Sequence, residues 1–293
     1  TTFNNGSVIG NLNTCNISIS GLLNITNPNY NIFIGENTNN GTGGVCHSVF
    51  MGKSAGELSA NACYSMFIGD NAGYCSINAS DSIFIGRCAG YNACLAGASV
   101  IVGGYAGHNA RNAYKSNFIG RYAGCNSVNG YASNFLGFCA GNNACCANNS
   151  NYLGNNAGLS ATFACNSNFI GIGSGFIATC ARFSNFFGAY AGRNATNGNN
   201  SNFLSQCAGG FATNANDSNF LGQFAGFCAT NANDSNFFGE CSGYLATGAS
   251  FSTFIGYKSG LNSLSSTSQG SNNIIIGTNI SLPARCSNML NIG

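Results

Sequence analysis

The chain has 293 residues, of which only 5% are charged, 42 are glycine, 2 are proline and none is tryptophan. An ordinary soluble domain carries about 25% charge, yet 44% apolar residues exclude a solvated disordered chain, which is apolar-poor and highly charged. A formal net charge of +2 removes the electrostatic case for nucleic acid or an anionic membrane as partner, and no run of about 18 uninterrupted apolar residues marks a membrane span.

Residues 1–30 carry no repeat and are expected to form an N-terminal cap. They open on Thr1 without a basic-then-apolar leader, so a secreted protein is expected to have lost its signal already. From 31 to 256 one phrase recurs. Its apolar anchor falls at Phe33, Phe50, Phe67, Phe84, Ile101, Phe118, Phe135, Tyr152, Phe169, Phe186, Phe203, Phe220, Phe237 and Phe254, fourteen times at a step of 17 residues. A further copy, Ile274-Ile275-Ile276-Gly277, arrives after a four-residue slip. Residues 257–293 are expected to be C-terminal capping coils, since terminal repeats of a stacked array are atypical. Numbered from its serine, the unit reads Ser-Asn-Phe-Ile-Gly-x-x-Ala-Gly-x-x-Ala-x-x-Ala-x-x.

Seventeen residues is too short for a helix pair or a propeller blade, which need roughly 34 or more. The unit lacks a helical period and is dense in Gly, Asn and β-favouring aromatics. It predicts an all-β chain, a β-solenoid of about fourteen coils stacked at about 4.8 Å, a rod of roughly 65–70 Å. Glycines at positions 5 and 9, such as Gly222 and Gly226, mark corners needing positive φ or close backbone approach. Charge collects at position 6, in Glu36, Lys53, Asp70, Arg87, Arg121 and Glu240, which is expected to face water.

Position 3 is a column of Phe and position 4 a column of Ile, Leu or Phe, from Ile34 through Leu136 to Ile255. Neighbours on a strand point to opposite faces, so one column fills the core beside the small alanines and the other is wet. An apolar stripe along a whole rod exceeds the patch a soluble monomer tolerates. The chain is therefore expected to associate with copies of itself, as a trimer or an end-to-end filament. The Phe ladder at Phe33, Phe50, Phe67, Phe84, Phe118, Phe135, Phe169, Phe186, Phe203, Phe220, Phe237 and Phe254 is assigned to self-association or core.

The phrase from Ser116 to Gly124 resembles the Ser-x-Ala-Ile-Gly-x-x-Ala unit of trimeric autotransporter adhesin heads. It is still closer to the Asn-x-Phe-Ile-Gly-x-x-Ala-Gly repeats of phage-type tail-fibre and related surface-fibre proteins. The closing stretch, residues 271–293, is similar to the end of such a fibre stalk. The likeness covers residues 31–293 and implies a left-handed roll, a parallel homotrimer, an attachment role and an extracellular, cell-surface or virion location. Against the adhesin unit, an aromatic replaces a small residue, the repeat is longer, and the cysteines are foreign to it. No membrane anchor, coiled-coil stalk or self-cleaving chaperone segment is read in these residues.

Sixteen cysteines argue for an oxidising, extracellular setting. Cys46 and Cys63 share a unit position in adjacent coils, so their Cα atoms are expected within disulfide range. Cys75 with Cys88, and Cys228 with Cys241, repeat a second relation, position 11 to position 7 of the next coil, and are candidate disulfides too. Buried small hydrophobe is the plain alternative for each. Among eleven Asn-x-Ser/Thr sequons, Asn78, Asn148, Asn194, Asn199, Asn216 and Asn233 are candidate glycosylation sites, although an Asn- and Ser-rich chain writes sequons by chance.

No constellation points to catalysis, a cofactor or a metal. Only His47 and His108 are present, and Cys145–Cys146 lacks the paired Cys-x-x-Cys of a zinc site. Asp217 and Asp234 share a column, but the Asp-rich nonapeptide of calcium β-rolls is absent, and Asp in a turn is the plainer account. Gly171, Gly173 and Gly175 lack the strand–turn–helix context of a phosphate loop. Asn fills position 2 from Asn117 to Asn236, where stacked amides are expected to hydrogen-bond along the rod. Thr162, Thr179, Thr196, Thr213, Thr230 and Thr247 form a Thr ladder. The expected function is a non-enzymatic structural subunit of an extracellular fibre, a tail fibre, adhesin stalk or filament building block that self-associates through its Phe ladder. An ice- or glycan-binding module using the Thr or aromatic ladders is the alternative. A cell-surface glycan or receptor is a further expected partner. A β-helical polysaccharide lyase would need longer, irregular coils and a charged cleft.

Overall fold

The computed structural model describes residues 29–39, 43–261 and 268–293. Residues 1–28 of the cap expected over 1–30, Cys15 and the sequons at Asn5, Asn16, Asn24 and Asn40 lie outside them. The described chain is all-β. Sixteen three-residue strands, from β1 (Ile32–Ile34) to β16 (Leu290–Ile292), form one parallel sheet in strict chain order. The register advances by the repeat, so Phe118 lies opposite Phe135. Between β14 (Thr253–Ile255) and β15 (Ile274–Ile276) Phe254 faces Ile275, and the four-residue slip is taken up outside the strand. A second file of single-residue parallel bridges follows position 13, from Gly43 to Thr247.

Coils are bonded around their perimeter, not only at the strands. In the coil beginning at Ser65, Met66 N donates forward to Ser82 O, and Gly69 N donates back to Met51 O. Gly73 N then donates forward to Ala89 O, and Cys75 N back to Glu57 O. Within the coil, Ala72 N closes a tight turn onto Gly69 O at 3.1 Å. Corner backbone groups find partners as strand groups do, which removes the usual cost of burying a bent chain.

The core is a stack of rings walled by small residues. Phe118 and Phe135 lie 4.8 Å apart between centroids and 4° from parallel. In the coil from Ser201, the ring of Phe203 is closed in by Ala208, Ala212 and Ala215, all essentially unexposed. Serine at position 1 is equally buried. Ser116 Oγ donates to Gly130 O and accepts from Ser133 N at 3.2 Å, so each serine closes its own coil and holds the next. The sequence shows this serine in every coil from Ser48 to Ser252, but only the structure shows it turned inward.

The corners bear out positions 5 and 9. Gly222 has φ 139 and Gly226 has φ 60, and a β-carbon on Gly226 would strike the Phe220 ring. Positions 7, 11, 14 and 17 are also left-handed, as at Tyr122, Asn126, Asn129 and Ala132, with φ between 52 and 60. Asn, the non-glycine residue that best tolerates this region, crowds positions 11 and 14. That enrichment was the legible sign of the extra corners.

Candidate functional site

The Phe column is the core of the single chain, which corrects its assignment as the associating surface. Phe50, Phe67, Phe84, Phe118, Phe135, Phe169, Phe186, Phe203, Phe220, Phe237 and Phe254 are 0% exposed, and only Phe33, at the end of the described ladder, reaches 38%. The reason is volume. The glycine at position 9 leaves a slot under the ring that no side-chain-bearing residue could leave, and the alanine columns admit one large group per coil.

Position 4 is consequently the wet face of the strand. Ile34, Met51, Ile119, Ile170, Phe187 and Ile255 are exposed by 36–50%, and Leu136, Leu153, Leu204 and Leu221 between them are half-buried by their neighbours. Position 2 lies beside it. In the N-terminal coils that file is apolar too, with Ile32, Val49, Met66 and Ile83. From Asn117 to Asn236 it is asparagine, and each side-chain Nδ2 donates to the next Oδ1, at 2.7 Å from Asn117 to Asn134 and 2.9 Å from Asn219 to Asn236. The expected axial amide ladder is present. A shallow groove of about 360 Å3 runs between the two files from Asn117 and Ile119 to Asn168 and Ile170.

The other surface columns are built differently. Glu36, Lys53, Asp70, Arg87, Arg121 and Glu240 at position 6 face solvent as expected, and Lys53 pairs with Glu36 at 3.4 Å across coils, an exposed contact of little energetic weight. The Thr column at position 13 is a single outward file flanked over Asn197, Asn214 and Asn231 by hydrogen-bonded amides. Aromatic surface columns such as Tyr74, Tyr91 and His108 stack at 4.9–5.0 Å with planes 8–9° apart. Tyr91 is stacked on both faces, which weakens it as a platform for a sugar ring. Burial holds the His108 imidazole below its ordinary range.

Cys46 and Cys63 form the expected disulfide, with Cα atoms 4.5 Å apart. Cys75, Cys88, Cys228 and Cys241 are free thiols, which corrects the other two pairs. Residues 17 apart share a column and touch; residues 13 apart stand at different corners, as the bonding of Cys75 N to Glu57 O and Cys88 N to Asp70 O shows. Burial pushes the Cys228 and Cys241 thiols up, and Glu240 adds to this at Cys241, so neither is activated as a nucleophile.

Asn148, Asn199, Asn216 and Asn233 share position 16. Asn199 and Asn216 donate their side-chain amides to the next Asn of the column at 3.0 and 3.2 Å, and Asn148 Oδ1 accepts from Tyr131 N. The serine completing each of these sequons is the buried position 1. Asn78 accepts from Asn61 at position 14, and Asn194 occupies the left-handed position 11. Asp217 and Asp234 have φ 56 and 53, and Asp217 accepts from Asn200 Nδ2 at 3.0 Å, in keeping with a turn role. Among the described residues no three His, Cys, Asp or Glu side chains gather as a metal cluster, and no helix is long and apolar enough to cross a membrane. No family model matches the chain, and no curated protein matches it.

Proposed function

We propose that the chain is a structural subunit of an extracellular fibre, a stiff shaft segment that packs against copies of itself. The observation carrying this reading is the apolar file at position 4, open to solvent from Ile34 to Ile255 on one side of the rod. A stripe about 65 Å long is more apolar surface than single soluble chains normally leave uncovered, and a second rod presents a matching stripe. The repeat phrase, similar to that of tail-fibre and surface-fibre proteins, supports a place on a virion or cell surface and a parallel trimer. The Cys46–Cys63 staple fits an oxidising compartment.

Sedimentation velocity and electron microscopy of the purified chain test the reading, beside a Leu136→Asp/Ile170→Asp variant. The native chain is expected to run as an oligomer or filament, and the variant as a monomer with unchanged circular dichroism. A native chain that stays monomeric at tens of micromolar would overturn the shaft assignment. A variant that keeps the native oligomer would overturn the choice of face.

A further inference from the structure

Cys145 and Cys146 hold their sulfur atoms 3.5 Å apart, and both are half-buried free thiols. Cys145 belongs to the file of single-residue bridges, between Val128 and Thr162. Cys146 follows it at a corner with φ 55. Consecutive residues of an extended strand send their side chains to opposite faces; here the left-handed corner cancels that alternation and brings the two thiols together. We propose that this pair is a redox-active dithiol, which a small-molecule disulfide of the glutathione class closes into a ring disulfide between consecutive residues. The inference stands apart from the shaft reading and does not depend on it.

The exchange is balanced without a metal or a further reagent. The Cys146 thiolate attacks one sulfur of the small disulfide, expels one small thiolate and leaves a mixed disulfide. The Cys145 thiolate then attacks Cys146 Sγ, the second small thiolate departs, and the Cys145–Cys146 bond forms. Two protein thiols are oxidised, one small disulfide is reduced to two thiols, and the two protons pass to the departing sulfurs. Cys146 is the attacking residue, because the Asn129 side-chain amide points at its sulfur from 4.0 Å. Burial, and then the neighbouring Cys146, raise the Cys145 thiol.

The resulting bond is expected to be labile. Consecutive Cα atoms lie about 3.8 Å apart, short of the roughly 4.4–6.8 Å of ordinary disulfides, and such departures make a disulfide easier to reduce. The Cys46–Cys63 pair, at 4.5 Å, lies inside that range. One chain thus carries a lasting staple and a reversible clasp.

The test equilibrates the whole chain in glutathione buffers of stepped oxidised-to-reduced ratio, quenches with acid, alkylates, and reads each cysteine by peptide mass spectrometry. Cys145 and Cys146 are expected to lose alkylation together, with two hydrogens lost from the pair, while Cys94, Cys165 and Cys180 stay alkylated. On the reducing side the pair should reopen at a ratio roughly tenfold more oxidising than Cys46–Cys63. A Cys145→Ser variant, which places at position 13 the hydroxyl that Thr162 carries one coil on, should hold a single glutathione on Cys146. The proposal is overturned if either cysteine remains alkylated in the most oxidising buffer, if each takes its own glutathione, or if the ring and Cys46–Cys63 open together.

Discussion

Ser205 stacks on Gly188 in the one corner that the other described coils of the repeat all give to glycine. It adopts φ 130, next to 131 at Gly188 and 139 at Gly222, a region that side-chain-bearing residues reach only under strain. Holding a non-glycine residue there costs on the order of 1–3 kcal/mol. Ser205→Gly is therefore expected to raise stability by about that amount, read from the shift in denaturant midpoint. An unchanged or lowered midpoint would count against the strain.

Ile177 presents the same conflict at position 11. Its φ of 54 is a left-handed value that a β-branched residue resists, and 44% of its surface is open to water, so little burial compensates. The same column carries Asn143 and Asn194. Ile177→Asn should stabilise the fold by about 1 kcal/mol, and a lower melting temperature would refute the argument.

Ser76 and Ser127 bury hydroxyls that find no hydrogen-bond partner, at a position that Ala93, Ala110 and Ala144 fill in nearby coils. An unsatisfied buried hydroxyl costs about 1–3 kcal/mol. Ser76→Ala and Ser127→Ala should each recover part of it, and, being three coils apart, should add. Ser59→Ala is the control: that hydroxyl donates to Gly56 O at 2.7 Å, so the substitution should gain nothing.

His108 sets a pH dependence. Burial lowers its pKa in the folded chain, so between that value and the ordinary one near about 6.5 the unfolded chain binds the extra proton. Stability then rises with pH through this window, and it falls as the solution is acidified below about 6.5. Melting curves at stepped pH should show this slope in the native protein and a shallower one in His108→Gln. Equal slopes would remove His108 as the cause.

The sequence carried the architecture further than it carried the surface. A strict spacing placed Phe118 over Phe135 and Cys46 over Cys63 because contacts in a solenoid join equivalent positions of adjacent coils. It does not decide which of two neighbouring apolar columns, Phe135 or Leu136, faces inward, since alternation fixes their opposition and not its sense, and the expectation of association through the Phe ladder fails there. The deciding contact, a ring settled over Gly141, is made across a corner whose bend the strand pattern does not encode. The offset pairs Cys75–Cys88 and Cys228–Cys241 misled for a related reason: recurrence in sequence is proximity only when it falls in one column. The closeness of Cys145 to Cys146 was invisible because it arises from a left-handed turn at a cysteine, a residue without a preference for one.

Because each coil bonds only to the one before and the one after, this molecule has a length but no centre. Excising residues 218–234 whole would lower Ser235 onto Ser201 and leave every file unbroken, whereas cutting one residue fewer would shear all of them at once. Its height is a dial with fixed clicks, one storey of about 4.8 Å apiece, and lineages that copy or drop storeys can retune reach without redesigning a joint.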